Sequence, residues 1–217
     1  MIRLISALVI WLLPLPAAAC RLALVLGIDV SHSIDNFEFQ MQVSGTAEAL
    51  RDPVIASAMI DMQVAVSVVQ WSGSDQQLVS VPWMRIRSAR DLALLERQVR
   101  NMVRNWNDSN TAVGAALQVM TELFPAVPDC DRRVIDFSGD GISNAGPLPL
   151  DARHRARNDG IMINGLAIDR VGRSVTEYFR RHVIIGPGAF VVTARGYRDY
   201  PRAIREKLFR ELLPPSS

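Results

Sequence analysis

A carboxylate and two hydroxyls fall on alternate residues, Asp29, Ser31 and Ser33, directly after the apolar run Leu22–Ile28. Alternation along an extended chain sends the three side chains toward one side. All three offer only oxygen, a donor set that suits Mg²⁺, or the related hard ions Mn²⁺ and Ca²⁺, better than zinc or copper. An almost wholly apolar run of this length reads as a strand of a parallel sheet covered on both faces. The carboxyl ends of such strands border the crevice where open α/β sheets bind ligands. Two later stretches offer oxygen donors in comparable places. Thr111 opens the apolar helical segment Thr111–Leu117, and Asp140 follows the apolar run Val134–Ser138 in the turn Ser138-Gly139-Asp140-Gly141.

The remaining chain supplies elements that would position these groups. Apolar or β-branched runs at Gln63–Gln70, Leu78–Val81, Ile161–Ile168 and Ala189–Thr193 read as further strands. Pro82 stops the second of these, and the turn Trp71–Asp75 before it makes a hairpin with an antiparallel strand at the sheet edge. Helices are expected over Ile34–Arg51, ended or bent by Asp52-Pro53, and after Ser88, where Asp91 gives capping-box spacing. The apolar face of that second helix runs through Leu92, Leu95, Val99, Met102 and Trp106. Further helices follow Thr111, near Asp151–Asn158, over Ser174–His182 and over Tyr200–Leu213. Strands alternating with helices predict a three-layer α/β/α fold: a doubly wound, mostly parallel six-stranded sheet with one antiparallel edge strand. Residues 20–217 form a single domain in this reading.

With these residues in view, the chain resembles the von Willebrand factor A (vWA) family. In that family a strand-end D-x-S-x-S, a loop threonine and a later strand-end aspartate form a metal-ion-dependent adhesion site (MIDAS). All five positions occur in order here as Asp29, Ser31, Ser33, Thr111 and Asp140, and the resemblance runs from about Leu22 to Leu213. It is narrower still with a bacterial group of exported vWA-like proteins carrying Ser-Gly-Asp-Gly where Thr-Asp-Gly is commoner. The extra glycine leaves two acids to consider. Asp140 is favoured over Asp136, which lies within the strand. The resemblance implies Mg²⁺ held by the three hydroxyls with Asp29 and Asp140, and a protein partner that supplies a carboxylate to the ion. The loops beside these ligands, His32–Asn36, Trp71–Asp75, Asn105–Asn110 and Ile142–Pro149, would form a rim offering Trp71, Trp106, Asn107 and Asn144, with core packing the other reading of the two tryptophans. In the family order the strands after Cys20 and Cys130 are parallel neighbours, so the two cysteines would lie side by side opposite the metal site.

Residues 1–19 read as a signal peptide: a basic start at Arg3, an apolar core Leu4–Leu13 too short to span a bilayer, and Ala17-Ala18-Ala19 before Cys20. Export to the periplasm or beyond would permit a Cys20–Cys130 disulfide. A lipidated Cys20 and free thiols are the alternatives. No later stretch has transmembrane length. Net charge is +2 with 24 basic and 22 acidic side chains, and the arginines are interspersed with acids, which argues against a nucleic-acid stripe. His154 and His182 have no zinc-ligand spacing. Two other functions compete with a binding module. A haloacid-dehalogenase-like phosphatase would use Asp29 as nucleophile, but Ser31 stands where its acid is wanted, and Lys207 is the chain's only lysine. A lipid-anchored structural envelope protein is the other.

Overall fold

The structure, a computed structural model, describes residues 20–212 except residue 108. The signal peptide expected over residues 1–19 and the tail from Leu213 lie outside the described residues. Six strands, β1 (Cys20–Asp29), β2 (Ala65–Trp71), β3 (Gln77–Arg85), β4 (Cys130–Gly139), β5 (Ile161–Ile168) and β6 (Val191–Ala194), form one sheet in the order β3-β2-β1-β4-β5-β6. Only the β2–β3 pair is antiparallel, which makes β3 the antiparallel edge strand. The helices are α1 (Asn36–Leu50), α2 (Pro53–Asp61), α3 (Ala89–Arg100), α4 (Val113–Thr121), α5 (Pro149–Asn158), α6 (Ser174–His182) and α7 (Tyr200–Leu212).

The alternation of β1 explains the layering. Leu22, Leu24, Leu26 and Ile28 enter the core shared with α1, α2, α3 and α7, while Ala23 and Val25 enter the core shared with α4, α5 and α6. Residues on the second face are small because α4 presses close. A Cβ on Gly27 would meet the Met120 side chain at 2.6 Å.

Three expectations need correction. Asp52-Pro53 does more than end α1. Asp52 caps a separate helix through the amides of Val54 and Ile55, and Pro53 occupies its first turn, where no N–H is needed. Strand β3 continues through Pro82 to Arg85 instead of stopping there. Pro82 sits where the register slips between Val68↔Val81 and Val66↔Met84, so the ladder bond it cannot donate is already missing. Helix α3 ends at Arg100, short of Trp106. Beyond it the chain is tied to other elements: the Gln70 amide donates to the Val103 carbonyl, and Arg104 donates to the carbonyl of Ser31.

At the amino ends of β1 and β4, Cys20 pairs with Cys130 in register, and their sulfurs form a disulfide across a Cα–Cα distance of 4.4 Å. The Cys20 sulfur therefore cannot also carry a lipid.

Candidate metal centre

Asp29 is the last residue of β1 and is fully buried. Its Oδ1 accepts the backbone N–H of Ser31 at 2.8 Å, which fixes the turn leaving the strand. Gln42, buried on α1, donates to the Asp29 carbonyl at 3.0 Å and anchors the same turn from below. The second carboxylate oxygen, Oδ2, is buried with no hydrogen-bond partner. A Cβ on Gly139 would lie 2.9 Å from that oxygen and 3.0 Å from the Trp71 ring. The extra glycine of Ser-Gly-Asp-Gly thus leaves the space into which Asp29 points.

Burial, then the charge of Asp140, pushes the Asp29 carboxyl up to about 7, against the lowering effect of Ser31 and of the Asp140 N–H. A buried carboxyl with one unpartnered oxygen is a place that a cation would suit.

The Ser31 and Ser33 hydroxyls lie 3.3 Å apart, and Ser33 Oγ donates to Asp140 Oδ1 at 2.5 Å across the β1–β4 crevice. Thr111 is held from both sides. Its N–H donates to Asn144 Oδ1 at 2.8 Å, and its carbonyl accepts from the Asn144 N–H at 2.9 Å. A Cβ on Gly141 would be 3.7 Å from Thr111 Oγ1, so the threonine hydroxyl stands against the turn that carries Asp140. Ser33 and Thr111 line one cleft of about 420 Å³ with His32, Ser109, Asn110 and Asn144. The structure therefore gathers the five oxygen donors predicted from the sequence around the ends of β1 and β4. Among the described residues no group of three or more His, Cys, Asp or Glu side chains is placed to hold a metal ion. A cation here would depend on the hydroxyls as well as the two carboxylates, which is a hard-ion donor set.

Asp136 belongs elsewhere. It faces the α7 side of the sheet, where Lys207 Nζ lies 2.8 Å from its Oδ1 and 2.9 Å from Glu211 Oε1. All three groups are buried, and Asn164 donates to both oxygens of Glu211. The lysine a phosphatase would want is thus committed to a structural cluster.

Besides Gln42, two groups at the centre escaped sequence reading. Arg170, in the β5–α6 loop, donates to Asp140 Oδ2 at 3.1 Å, Glu38 Oε2 at 2.9 Å and the Ser33 carbonyl at 2.5 Å. Tyr197 buries its hydroxyl without a hydrogen-bond partner, and burial followed by the charge of Asp140 raises its pKa well above the usual tyrosine range. Neither residue belongs to a local pattern that could have announced it.

The expected rim also changes. Trp71 is wholly buried, stacked on Phe137 at 4.5 Å and donating from Nε1 to the Ser138 carbonyl. Trp106 is half-buried against the α1 core. Apolar exposure instead comes from Phe37, Val103, Ile142, Leu148 and Val171, each more than half exposed, on the segments that border this end of the sheet. Asn144 is no neutral surface residue, since it holds Thr111.

Comparison with known proteins agrees with this architecture. Proximal thread matrix protein 1 from the mussel byssus superposes with a TM-score of 0.70 at 18% identity, over 90% of this chain and 48% of that one. The same mussel protein is also known with a zinc-occupied MIDAS motif, matching with a TM-score of 0.67 at 17% identity over 90% of this chain and 49% of that one. This chain thus spans about half the length of that relative. The vWF domain of the type V pili tip protein Mfa5 from Porphyromonas gingivalis matches with a TM-score of 0.67 at 10% identity, over 93% of this chain and 98% of that one. Identities this low establish the fold alone. No curated protein matches by sequence. A family model described as a protein of unknown function (DUF1194) matches residues 19–216. The chain belongs to that family, DUF1194, and has a vWA fold.

Proposed function

We propose that this chain is an exported binding module that engages a protein partner through a divalent-cation centre made by Asp29, Ser31, Ser33, Thr111 and Asp140. The observation that carries the reading is the buried, unpartnered Oδ2 of Asp29 beside the Ser31–Ser33–Asp140 chain of oxygens. Ser31, Ser33 and Thr111 would hold the ion directly. Asp29 and Asp140 would balance its charge, directly or through water. Mg²⁺ is the preferred ion, with Mn²⁺ or Ca²⁺ as substitutes. When bound, it would supply an open coordination position for a partner's carboxylate.

The protein's own contribution is to fix the donors before the partner arrives. Gln42 and the Ser31 N–H lock Asp29, and Asn144 locks the Thr111 backbone. The exposed apolar residues around the centre favour a protein surface as the partner, since apolar contacts surrounded by polar groups are how such interfaces are built. The Cys20–Cys130 disulfide supports an oxidising, extracytoplasmic location, periplasmic or secreted. No helix among the described residues is long and apolar enough to cross a membrane.

Calorimetric titration with Mg²⁺, Mn²⁺ and Ca²⁺ tests the centre. One site is expected in the unaltered chain and none in Asp29→Ala, whose circular dichroism should be unchanged. Equal titration of the two proteins would remove the assignment.

A further inference from the structure

We infer that a second anion site lies beside the metal centre, a cleft lined by arginines that receives another carboxylate of the same acidic partner segment; this rests on the metal-centred reading above. The cleft, about 560 Å³, lies between the β5–α6 loop and the β6–α7 connection. Four arginines line it, Arg170, Arg173, Arg195 and Arg202, against two aspartates, Asp169 and Asp199.

Both acids are already committed. Asp169 accepts from the backbone N–H groups of Val175 and Thr176 and from the Thr176 hydroxyl, capping α6. The Val175 and Thr176 amides of that helix terminus are therefore taken. Asp199 takes a two-pronged pair of bonds from Arg202 at 2.7 and 2.8 Å, and accepts the Arg195 N–H at 2.9 Å. Arg202 is further held by Glu206, and Arg170 by Glu38 and Asp140. The guanidinium groups of Arg173 and Arg195 form no hydrogen bond or short ion pair among the described residues, although the Arg195 charge helps to lower the Asp199 carboxyl, and both residues are exposed. They are the pair available to an incoming anion. A planar guanidinium matches a carboxylate with two parallel bonds.

Arg170 makes the cleft continuous with the metal centre. It lines the cleft and also bonds Asp140 and the Ser33 carbonyl. A partner carboxylate directed at the cation would therefore leave its neighbouring residues beside the arginines. Val171, 89% exposed between Arg170 and Gly172, puts an apolar side chain on the rim, which suits a polypeptide better than a sulfated sugar.

The test is fluorescence anisotropy with a labelled glutamate-rich peptide, the full exported chain and excess Mg²⁺. Arg173→Glu/Arg195→Glu should weaken binding about tenfold or more, the effect of replacing two attractive exposed charges by repulsive ones. Its thermal melting should be unchanged. Should the reversal variant fail to fold, Arg173→Gln/Arg195→Gln provides the same reading with a smaller loss. Asp29→Ala and chelator should remove only the Mg²⁺-dependent part and leave a salt-sensitive, arginine-dependent part. Unaltered affinity in both arginine variants, or no peptide binding at low salt, overturns the cleft. Arginine-dependent binding that ignores chelator keeps the cleft but ends the metal-centred reading. A heparin fragment that binds through the same arginines and displaces the peptide at lower concentration overturns the acidic-peptide assignment.

Discussion

Asp29→Asn should gain stability over the unaltered metal-free chain as the pH rises. The Asp29 carboxyl is raised from 3.8 to about 7, chiefly by burial and then by Asp140. At ~1.36 kcal/mol per pH unit, ionising it costs the fold about 4 kcal/mol relative to the unfolded chain. The folded chain holds this proton more tightly than the unfolded chain does. Its contribution to stability is therefore complete below the unfolded value of 3.8 and is lost as the pH rises through about 7. Of that loss, about 2.5 kcal/mol falls between pH 5 and pH 8. An amide at this position keeps the acceptor for the Ser31 N–H but places an unpartnered NH₂ where Oδ2 now sits. That adds a penalty of about 1–3 kcal/mol that does not vary with pH. The change in the difference between the two proteins is thus the diagnostic quantity. Carboxyls that do not interact with Asp29, including Asp136, which burial raises to about 6, titrate in both proteins and cancel.

The assay is urea unfolding in chelator at both pH values. The unaltered chain should lose about 2.5 kcal/mol against the variant on going from pH 5 to pH 8. Excess Mg²⁺ at pH 8 should then restore it, by about 2.7 kcal/mol at a hundredfold excess over Kd, and leave the variant unmoved. An unfolding difference identical at the two pH values would refute the argument, because Asp29 would then carry no burial penalty for a cation to relieve.

Lys207→Met should destabilise the chain by about 3–5 kcal/mol in urea unfolding, since it leaves the buried carboxyls of Asp136 and Glu211 without their cation. Cys130→Ala should cost up to ~4–5 kcal/mol by the chain-entropy argument for a bond closing 110 residues, and peptide mapping without reductant should find Cys20 linked to Cys130 in the parent. Gly114→Ala should lower stability by about 1–3 kcal/mol and weaken Mg²⁺ binding in the same titration, because its Cβ would sit 2.2 Å from the Pro147 carbonyl and displace the loop that carries Asn144.

Much of the fold could be read from runs of apolar residues because a sheet covered on both faces leaves little room for polar ones. Leu22–Ile28 and Ile161–Ile168 are legible for that reason. Edges are harder, because one strand face or end escapes burial and local exceptions survive there. Pro82 looked like a stop and is tolerated at a bulge, and Asp52-Pro53 looked like a bend and starts α2. The oxygen donors of the candidate centre were readable since three of them alternate within five residues and the others close or open apolar elements. Gln42, Arg170 and Tyr197 were not. Each comes to the centre from a distant segment, in a placement that only the folded topology creates. Lys207 and Asp136 lie 71 positions apart, and their pairing follows from α7 packing over β4, which no sequence spacing encodes.

The burial of Lys207 also decides how this protein can be handled at the bench. It is the chain's only lysine and its side chain is 0% exposed, so the folded surface presents no lysine amine. Succinimidyl esters, aldehyde fixatives and amine-coupled sensor chips would reach that side chain only in molecules that have opened. A preparation immobilised through lysine would thus be enriched in unfolded material and could report no binding from a fully active protein. The same property is useful in the other direction: the rate at which Lys207 becomes acylated measures how often α7 lifts from the sheet.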